Sequence, residues 1–179
     1  MCTFNRMEGL ILSKIKVAVI GCGTIANSAH IPAYMANDEV EIKYFCDIIK
    51  ERAEKAVKEY KCGEAIDDYR IILDDPEVEA VSVCTPNNVH APITIDCLRA
   101  GKHVLCEKPA ARTYEEALEM QKVQHETGKV LNIGVVNRYN TSVNLIKKMI
   151  EDGELGEVYH VYASFRSHRS IPGLGGAFT

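Results

Sequence analysis

Three small residues follow an apolar run near the start of the chain, at a spacing that suits phosphate binding. The run is Ile15–Ile20, and the small residues are Gly21, Gly23 and Ala26. Where a strand turns into a helix, the first glycine permits the tight turn and the second lets a pyrophosphate approach the backbone. The third small residue lets the helix pack close to the sheet. Amides at the helix start, with the positive end of its dipole, attract phosphate. By itself the pattern also fits an ordinary strand–helix corner.

A carboxylate ends the next apolar run and changes that balance. Val40–Cys46 has the composition of a second strand. Asp47 follows it, about 20 residues after Ala26, as a dinucleotide-binding βαβ unit requires. A carboxylate at this place accepts the ribose hydroxyls of an adenosine and repels a 2′-phosphate. The sequence therefore predicts NAD as the cofactor, while the nearby Lys50 and Arg52 leave NADP as an alternative.

Apolar runs alternate with amphipathic segments along most of the remaining chain. Further strands are predicted at 64–66, 80–84, 103–106 and 130–136. The helices between them are predicted to end at Gly63, Gly101 and Gly128, and Thr113 and Glu116 form a capping box. This alternation predicts an α/β fold, a Rossmann-type doubly wound parallel sheet with right-handed crossovers.

Polar residues follow four of the predicted strands. They are Asp47 and the segments 85–90, 107–109 and 137–139. In a doubly wound sheet the ligand lies beyond the carboxyl ends of the strands. One cluster alone is as well explained as a solvated loop, but four on the edge that carries the glycine turn predict a binding site. His30, by contrast, is expected to pack or to cap a helix rather than to bind a ligand.

The bulk composition restricts the class of protein. The chain has 179 residues, of which 46% are hydrophobic and 26% charged, and its net charge is −4. These values favour one soluble domain with part of a second, and they argue against a nucleic-acid-binding surface. The sequence shows no apolar run that would cross a membrane and no convincing signal peptide, so a cytoplasmic location is predicted. The seven cysteines lack metal-site spacing and are expected to be reduced structural thiols, with no metal site.

Three motifs together resemble one family of enzymes. The motifs are Gly21-x-Gly23-x-x-Ala26, Thr85-Pro86-Asn87-x-x-His90 and Glu107-Lys108-Pro109. In this order and at these separations they resemble the Gfo/Idh/MocA oxidoreductases, which include glucose-fructose oxidoreductase and inositol dehydrogenase. The resemblance covers nearly the whole chain from Lys16. It implies a Rossmann domain followed by an α+β domain with a large open sheet, a nicotinamide cofactor, and hydride transfer at a carbinol carbon of a sugar or cyclitol.

The resemblance also implies roles for individual residues. The implied cofactor contacts are Gly21, Gly23, Thr24 and Ile25 at the pyrophosphate, Asp47 at the adenosine ribose, Thr85, Pro86, Asn87 and His90 between adenosine and nicotinamide, Glu107 at the nicotinamide ribose, and Lys108, Pro109, Asn137 and Arg138 beside the nicotinamide. Pro109 follows a cis peptide bond in many family members. Lys108 is the implied catalytic residue, facing the reacting hydroxyl.

A chemical argument supports the role of Lys108. Removing a hydride from an alcohol requires that the hydroxyl proton leave as the carbonyl forms. A lysine that is activated by burial or by the positive charge of the nicotinamide hydrogen-bonds that oxygen and relays the proton. Without the motif around it, Lys108 would be interpreted as an exposed lysine after a strand.

The residues after the predicted sheet are expected to begin a second domain. We predict an N-terminal extension at 1–14, a dinucleotide-binding domain at 15–136, and an incomplete substrate or oligomerisation domain at 137–179. The last part is predicted to hold a helix at 141–152 and a strand at 158–166, with Arg166 and His168 as candidate substrate contacts. The Asp/His pair that serves the family as main acid/base has no match here. The chain is therefore expected to be truncated and to be a poor or inactive catalyst alone.

Two other functions fit the same fold. Some relatives use a bound NAD for a transient oxidation that loosens a glycosidic bond, which would make the protein a hydrolase. A non-catalytic NAD(H)-binding sensor is the second alternative. In each case the expected partner is a small molecule, such as a sugar or cyclitol, without nucleic acid or membrane, and a homo-oligomer remains open.

Overall fold

The computed structural model describes residues 13–164, and its centre is one parallel sheet. The strands are β1 (Ile15–Ile20), β2 (Val40–Cys46), β3 (Glu64–Ile66), β4 (Ala80–Val83), β5 (His103–Cys106) and β6 (Leu131–Ile133). They are arranged in the order β3-β2-β1-β4-β5-β6, and every pair is parallel. The chain reverses its direction across the sheet between β1 and β4, which confirms the predicted doubly wound Rossmann fold.

Helices connect the strands on both faces of the sheet. They are α1 (Ile31–Met35), α2 (Lys50–Tyr60), α3 (Arg70–Asp74), α4 (His90–Arg99), α5 (Tyr114–Thr127) and α6 (Thr141–Glu151). A π-helical turn, Ala26–His30, precedes α1, and short 3-10 turns lie at Asn87–Val89 and Val136–Tyr139. The first two helices follow β1 and β2, and the next three follow β3, β4 and β5.

Two apolar clusters form the core, one on each face of the sheet. Because neighbouring residues of a strand point to opposite faces, Ala18 and Ile20 pack with residues of α3, α4 and α5, whereas Val17 and Val19 pack with residues of α1 and α2. The central strand is therefore buried on both faces, which explains why its sequence is almost continuously apolar.

Helix ends follow the predicted signals in two cases and differ in a third. Thr113 caps α5 by accepting a hydrogen bond from the amide of Glu116 at 3.2 Å, and Gly128 closes that helix at φ +64°. The carboxylate of Glu116, however, bonds to Arg112 rather than completing the capping box. The prediction that Gly63 ends α2 was wrong, because Lys61 already adopts the left-handed conformation at φ +55°.

Two of the predicted strands were also wrong in extent. The prediction at 130–136 is reduced to β6, because a 3-10 turn begins at Val136. Residues 158–164 do not form the predicted strand and are exposed. A strand requires hydrogen bonds to a neighbouring strand, and the sheet in the described residues ends at β6 without offering this segment a partner. Arg166, His168 and most of the predicted N-terminal extension lie outside the described residues.

The last helix is amphipathic, but its apolar face is uncovered. In α6, which begins at the predicted position with Asn140 as its cap, Val143, Leu145, Ile146 and Ile150 are all exposed. Within residues 13–164, no helix has both the length and the apolar character needed to span a membrane. The boundary between residues 136 and 137 of the two expected domains remains a prediction.

Candidate functional site

The turn after β1 lies directly against the end of β4. Gly21 adopts φ +94°, and a Cβ atom built on it would lie 2.6 Å from the carbonyl oxygen of Cys84 and 2.9 Å from the amide nitrogen of Thr85. Real Cβ atoms essentially never approach backbone atoms so closely. The position therefore requires glycine both for its conformation and for the close approach of the two strand ends.

Gly23 differs from Gly21, because no contact within residues 13–164 explains it. A Cβ atom on Gly23 would meet no atom of these residues within 4 Å. The loop is held by Asn27 instead, whose side-chain nitrogen donates to the carbonyl oxygens of Cys22 and Gly23, each at 2.8 Å. The next two residues, Thr24 and Ile25, are exposed beside this open space. A glycine that leaves open space at the start of a helix fits the approach of a pyrophosphate.

Asp47 joins the end of β2 to the glycine turn. Its carboxylate is buried, and its two oxygens accept hydrogen bonds from the amides of Cys22 and Ile49, both at 2.9 Å. Arg52 lies 4.0 Å away and is half exposed. Each carboxylate oxygen accepts more than one hydrogen bond, so Asp47 retains acceptor capacity for a ribose while it fixes the turn.

The segment after β4 is tied to the segment after β5 through one buried histidine. The ring nitrogens of His90 lie 2.8 Å from the carbonyl oxygen of Thr85 and 2.7 Å from that of Pro109. His90 is almost completely buried, so it acts as a strut between the two loops. Pro86 is exposed and Asn87 half-buried on the 3-10 turn between them.

Thr85 carries a polar atom that the described residues do not satisfy. Its hydroxyl oxygen is buried and has no hydrogen-bond partner among residues 13–164. Buried hydroxyls are normally paired, and an exception needs an explanation. Its place at the end of β4, against Gly21, is the sheet edge where a bound dinucleotide supplies oxygen atoms. Thr85 therefore fits the predicted cofactor.

Glu107, at the end of β5, is held by a residue from the first helical segment. Its side chain is 9% exposed, and its Oε1 atom lies 2.9 Å from Nε2 of His30, whose side chain is 8% exposed. Oε2 accepts from the amide of Lys108 at 3.2 Å. His30 packs inside the protein, as expected, and in addition contacts a carboxylate that the sequence did not indicate as its partner. No local signal marks it, because its partner is 77 positions away in the sequence.

Lys108 and Pro109 follow Glu107 and are both exposed. The peptide bond between them is cis, as the resemblance implied. Burial, one of the two expected ways to activate the lysine, is absent because Lys108 is exposed. The other expected activation, by a nicotinamide charge, stays a prediction.

The fourth predicted cluster is not joined to the other three. Asn137 and Arg138 lie on the exposed 3-10 turn after β6, and their side chains make no hydrogen bond or ion pair with Asp47, Thr85 or Glu107. Their place beside a nicotinamide stays a prediction. Arg166 and His168, the candidate substrate contacts, fall outside the described residues.

The cysteines of the site are buried and remain thiols. Burial is the largest cause that raises the pKa of Cys22 to about 12 and that of Cys46 to about 12. All six cysteines of the described residues are free, as expected for structural thiols. Within residues 13–164, no three His, Cys, Asp or Glu side chains are grouped as a metal site requires.

One groove of the molecule lies away from this site. A groove of about 370 Å³ lies between α5 and β6, where apolar side chains such as Leu118 and Leu131 line it. It contains none of the polar strand ends. A dinucleotide lies across the open edge of the sheet instead of in a closed pocket, so the chemistry and not the volume identifies the site.

These features define a dinucleotide-binding Rossmann protein: a glycine turn, an acid at the end of β2, and polar strand ends beyond the switch point between β1 and β4. Residues 15–135 match the family described as "Oxidoreductase family, NAD-binding Rossmann fold", GFO_IDH_MocA, and the chain belongs to that family. The match confirms the predicted family, its oxidoreductase class and its NAD-binding fold. The assignment of individual site residues remains a prediction.

Two curated relatives are similar in sequence to most of this chain. A D-glucoside 3-dehydrogenase of Escherichia coli (strain K12) is 33% identical over 163 residues, which cover 91% of this chain and 46% of that protein. The scyllo-inositol 2-dehydrogenase (NADP(+)) IolW of Bacillus subtilis is 31% identical over 155 residues, which cover 87% of this chain and 42% of that protein. The chain thus spans less than half the length of these relatives.

Solved structures give the same result. The WlbA dehydrogenase from Bordetella pertussis, in complex with NADH and UDP-GlcNAcA, is similar with a TM-score of 0.78 and 30% identity, covering 84% of this chain and 43% of that one. KijD10, a 3-ketoreductase from Actinomadura kijaniata in complex with NADP, is similar with a TM-score of 0.73 and 31% identity, covering 81% and 46%. The relatives therefore include proteins with either cofactor.

Proposed function

We propose that this chain binds NAD across the carboxyl ends of β1, β2, β4 and β5, as the cofactor-binding part of an oxidoreductase. The reaction is hydride transfer between the nicotinamide and a carbinol carbon of a sugar, cyclitol or related polyol. The observation that carries the proposal is the bond from the amide of Cys22 to Asp47, because it brings the glycine turn and the ribose-binding acid into one site.

Named residues would hold each part of the cofactor. The pyrophosphate would lie against Gly21, Gly23, Thr24 and Ile25. The open space at Gly23 would give it room, and the hydroxyl of Thr85, which has no partner among residues 13–164, would hydrogen-bond to the cofactor. Asp47 would accept the adenosine ribose hydroxyls. Glu107 would lie at the nicotinamide ribose, because β5 is on the other side of the switch point from β2.

The chemistry belongs to the nicotinamide, and Lys108 would handle the proton. The bound cofactor supplies a carbon that accepts or returns a hydride. Lys108 stands on the loop after Glu107 with its side chain exposed, free of the sheet and able to reach a substrate oxygen above the nicotinamide half. When a carbonyl is reduced, the ammonium group of Lys108 would stabilise the negative charge that develops on that oxygen and pass a proton to it. When an alcohol is oxidised, the neutral amine would take the hydroxyl proton as the hydride leaves.

The substrate class is taken from the relatives and not from residues of this chain. The characterised relatives act, by their names, on glucosides and inositols, and the ligand beside NADH in WlbA is a sugar nucleotide. A polyol with a secondary hydroxyl is common to all of these compounds. We therefore propose a sugar or cyclitol as the small-molecule partner.

A comparison of NADH and NADPH tests the cofactor assignment. We expect NADH to bind more tightly, because the buried carboxylate of Asp47 repels a 2′-phosphate. Asp47→Asn keeps an acceptor for the amide of Cys22 but removes the charge. It should therefore weaken the binding of NADH and reduce the difference in affinity between NADH and NADPH. Titration of the nicotinamide fluorescence measures both affinities, and the chain contains no tryptophan that would interfere.

The outcome is decided by the wild type and the variant together. Absence of binding of either cofactor would overturn the proposal at its base. Tighter binding of NADPH than of NADH, unchanged in Asp47→Asn, would show that Asp47 does not read the ribose. Turnover is then assayed with polyols, where accumulation of NADH separates a dehydrogenase from a hydrolase that returns its cofactor unchanged.

A further inference from the structure

A chain of hydrogen bonds runs from the first helix through the sheet to Glu107. The hydroxyl oxygen of Tyr34 lies 2.6 Å from Oγ of Ser82, and that atom lies 3.1 Å from Nδ1 of His30. Nε2 of His30 then lies 2.9 Å from Oε1 of Glu107. We call these four residues the Tyr34–Glu107 chain. It crosses from α1 over β4 to the end of β5.

Burial makes the direction of these bonds important. Ser82 is completely buried, and the side chains of His30 and Glu107 are nearly so. Burial is the main cause that raises the pKa of Tyr34, so its hydroxyl keeps its proton at neutral pH. When Tyr34 donates to Ser82, the proton of Ser82 is left for Nδ1 of His30. Nε2 of His30 then carries its own proton toward Glu107.

The backbone places His30 for this purpose by an unusual turn. Ala26–His30 is a π-helical turn, closed by a bond from the amide of Ile31 to the carbonyl oxygen of Ala26. Pro32 follows and has no amide to continue a regular ladder. Turns of this kind are frequent at functional sites, where they direct a side chain that a regular helix would place elsewhere.

The carboxylate of Glu107 is contacted by three parts of the chain. A Cβ atom on Gly134 would lie 3.0 Å from Oε1 of Glu107, so the end of β6 closes one side with bare backbone. The amide of Lys108 holds Oε2, and His30 holds Oε1. Three segments that are distant in sequence therefore fix one carboxylate on the nicotinamide side of the switch point.

We propose that His30 is a positioning residue that fixes the carboxylate of Glu107 for the nicotinamide half of the cofactor, with Ser82 and Tyr34 setting its tautomer. The inference rests on the proposed function. It gives the segment after β1 two roles. Its glycine turn binds the pyrophosphate, and its residue His30 orients Glu107, which binds the nicotinamide ribose. His30 itself does not touch the cofactor in this proposal.

Binding of NADH and of ADP by this chain tests the proposal. ADP carries the adenosine and two phosphates but no second nucleoside, so it reports on the turn and on Asp47 alone. We expect His30→Ala to raise the Kd for NADH about tenfold, which is the effect of losing one hydrogen bond to a charged group. The Kd for ADP should change less than about twofold. His30→Gln retains an N–H that reaches Glu107 and should recover a large part of the loss.

A double variant separates positioning from direct contact. If His30 acts through Glu107, then His30→Ala should have little further effect on the affinity for NADH once Glu107→Ala has removed the acceptor of its hydrogen bond. Calorimetric titration gives the affinities, and thermal unfolding of each variant checks the fold. If His30→Ala does not fold, Ser82→Ala carries the test, with an expected selective weakening of NADH of about threefold.

Each result has one meaning. Wild-type protein that binds neither NADH nor ADP refutes the proposed function, and this inference with it. Wild-type protein that binds both, with NADH and ADP weakened equally in His30→Ala, shows that His30 only supports the fold and refutes positioning. Unchanged NADH affinity in the folded His30→Ala or Ser82→Ala variant, or full additivity of His30→Ala with Glu107→Ala, refutes it as well.

Discussion

The two glycines of the turn make opposite predictions for the same substitution. A methyl group at Gly23 meets no atom of the described part of the chain within 4 Å, and the backbone of Gly23 is not in the left-handed region. Gly23→Ala should therefore leave the free energy of unfolding within about 0.5 kcal/mol of the wild type. The methyl group occupies the space that a pyrophosphate needs, so NADH should lose one or two hydrogen bonds to its charged oxygens. That costs about 3 kcal/mol and raises Kd about 100-fold.

Gly21→Ala is the matched control, because its cost lies in the protein itself. The new Cβ atom would lie 2.6 Å from the carbonyl oxygen of Cys84, in a residue at φ +94°. Backbone strain and overpacking each cost about 1–3 kcal/mol. We expect the midpoint of thermal unfolding to fall by about 10 °C, since 1 kcal/mol shifts it by about 2–4 °C in a domain of this size.

Thermal unfolding and NADH titration on the two variants give the result. The expected pattern is a stable Gly23→Ala protein that binds NADH about 100-fold more weakly and a destabilised Gly21→Ala protein. A stable Gly23→Ala protein with wild-type affinity for NADH would refute the placement of the pyrophosphate at this turn. A strongly destabilised Gly23→Ala protein would show that the open space has a structural role that the described contacts do not contain.

Two further predictions concern stability away from the site. Lys61→Gly should raise the free energy of unfolding by about 0.5 kcal/mol, because glycine adopts φ +55° without the cost that lysine carries, and chemical denaturation measures the difference; a loss of stability would contradict this. The hydrogen bond from Lys43 is the main cause that lowers the pKa of Asp75 to about 2, so this pair stabilises the fold above the ordinary pKa of 3.8, and that contribution is lost as the pH falls toward 2. In Asp75→Asn, the free energy of unfolding should fall less steeply as the pH is lowered through this range. An unchanged pH dependence would show that other carboxylates cause the fall.

Most of the sheet could be predicted because each strand is marked locally. β1 and β4 are buried on both faces and are mostly apolar in sequence, while Asp47 marks the end of β2. The ends of β1, β2, β3 and β5, each followed by a glycine or an acid, were predicted correctly. β6 was overextended because Val135 and Val136 have strand composition, although both are exposed and the second begins a 3-10 turn.

The candidate site was predictable where a motif lies within a few residues of sequence. Gly21, Thr85 and Glu107 are all found at strand ends on one edge of the sheet, as the order of the motifs predicted. Asn137 and Arg138 follow β6 on an exposed turn and form no hydrogen bond or ion pair with Asp47, Thr85 or Glu107, so their place in the site stays a prediction.

The sequence by itself determined the family, the fold and the positions of the backbone turns, because glycine spacing and apolar periodicity act over a few neighbouring residues. Only the tertiary structure decided which side chains meet. The pairing of His30 with Glu107 and the double hold of His90 on Thr85 and Pro109 depend on strands that lie side by side although they are distant in sequence. Such contacts leave no local pattern in the sequence. A histidine that only packs and a histidine that hydrogen-bonds to a buried group look the same until the partner is known.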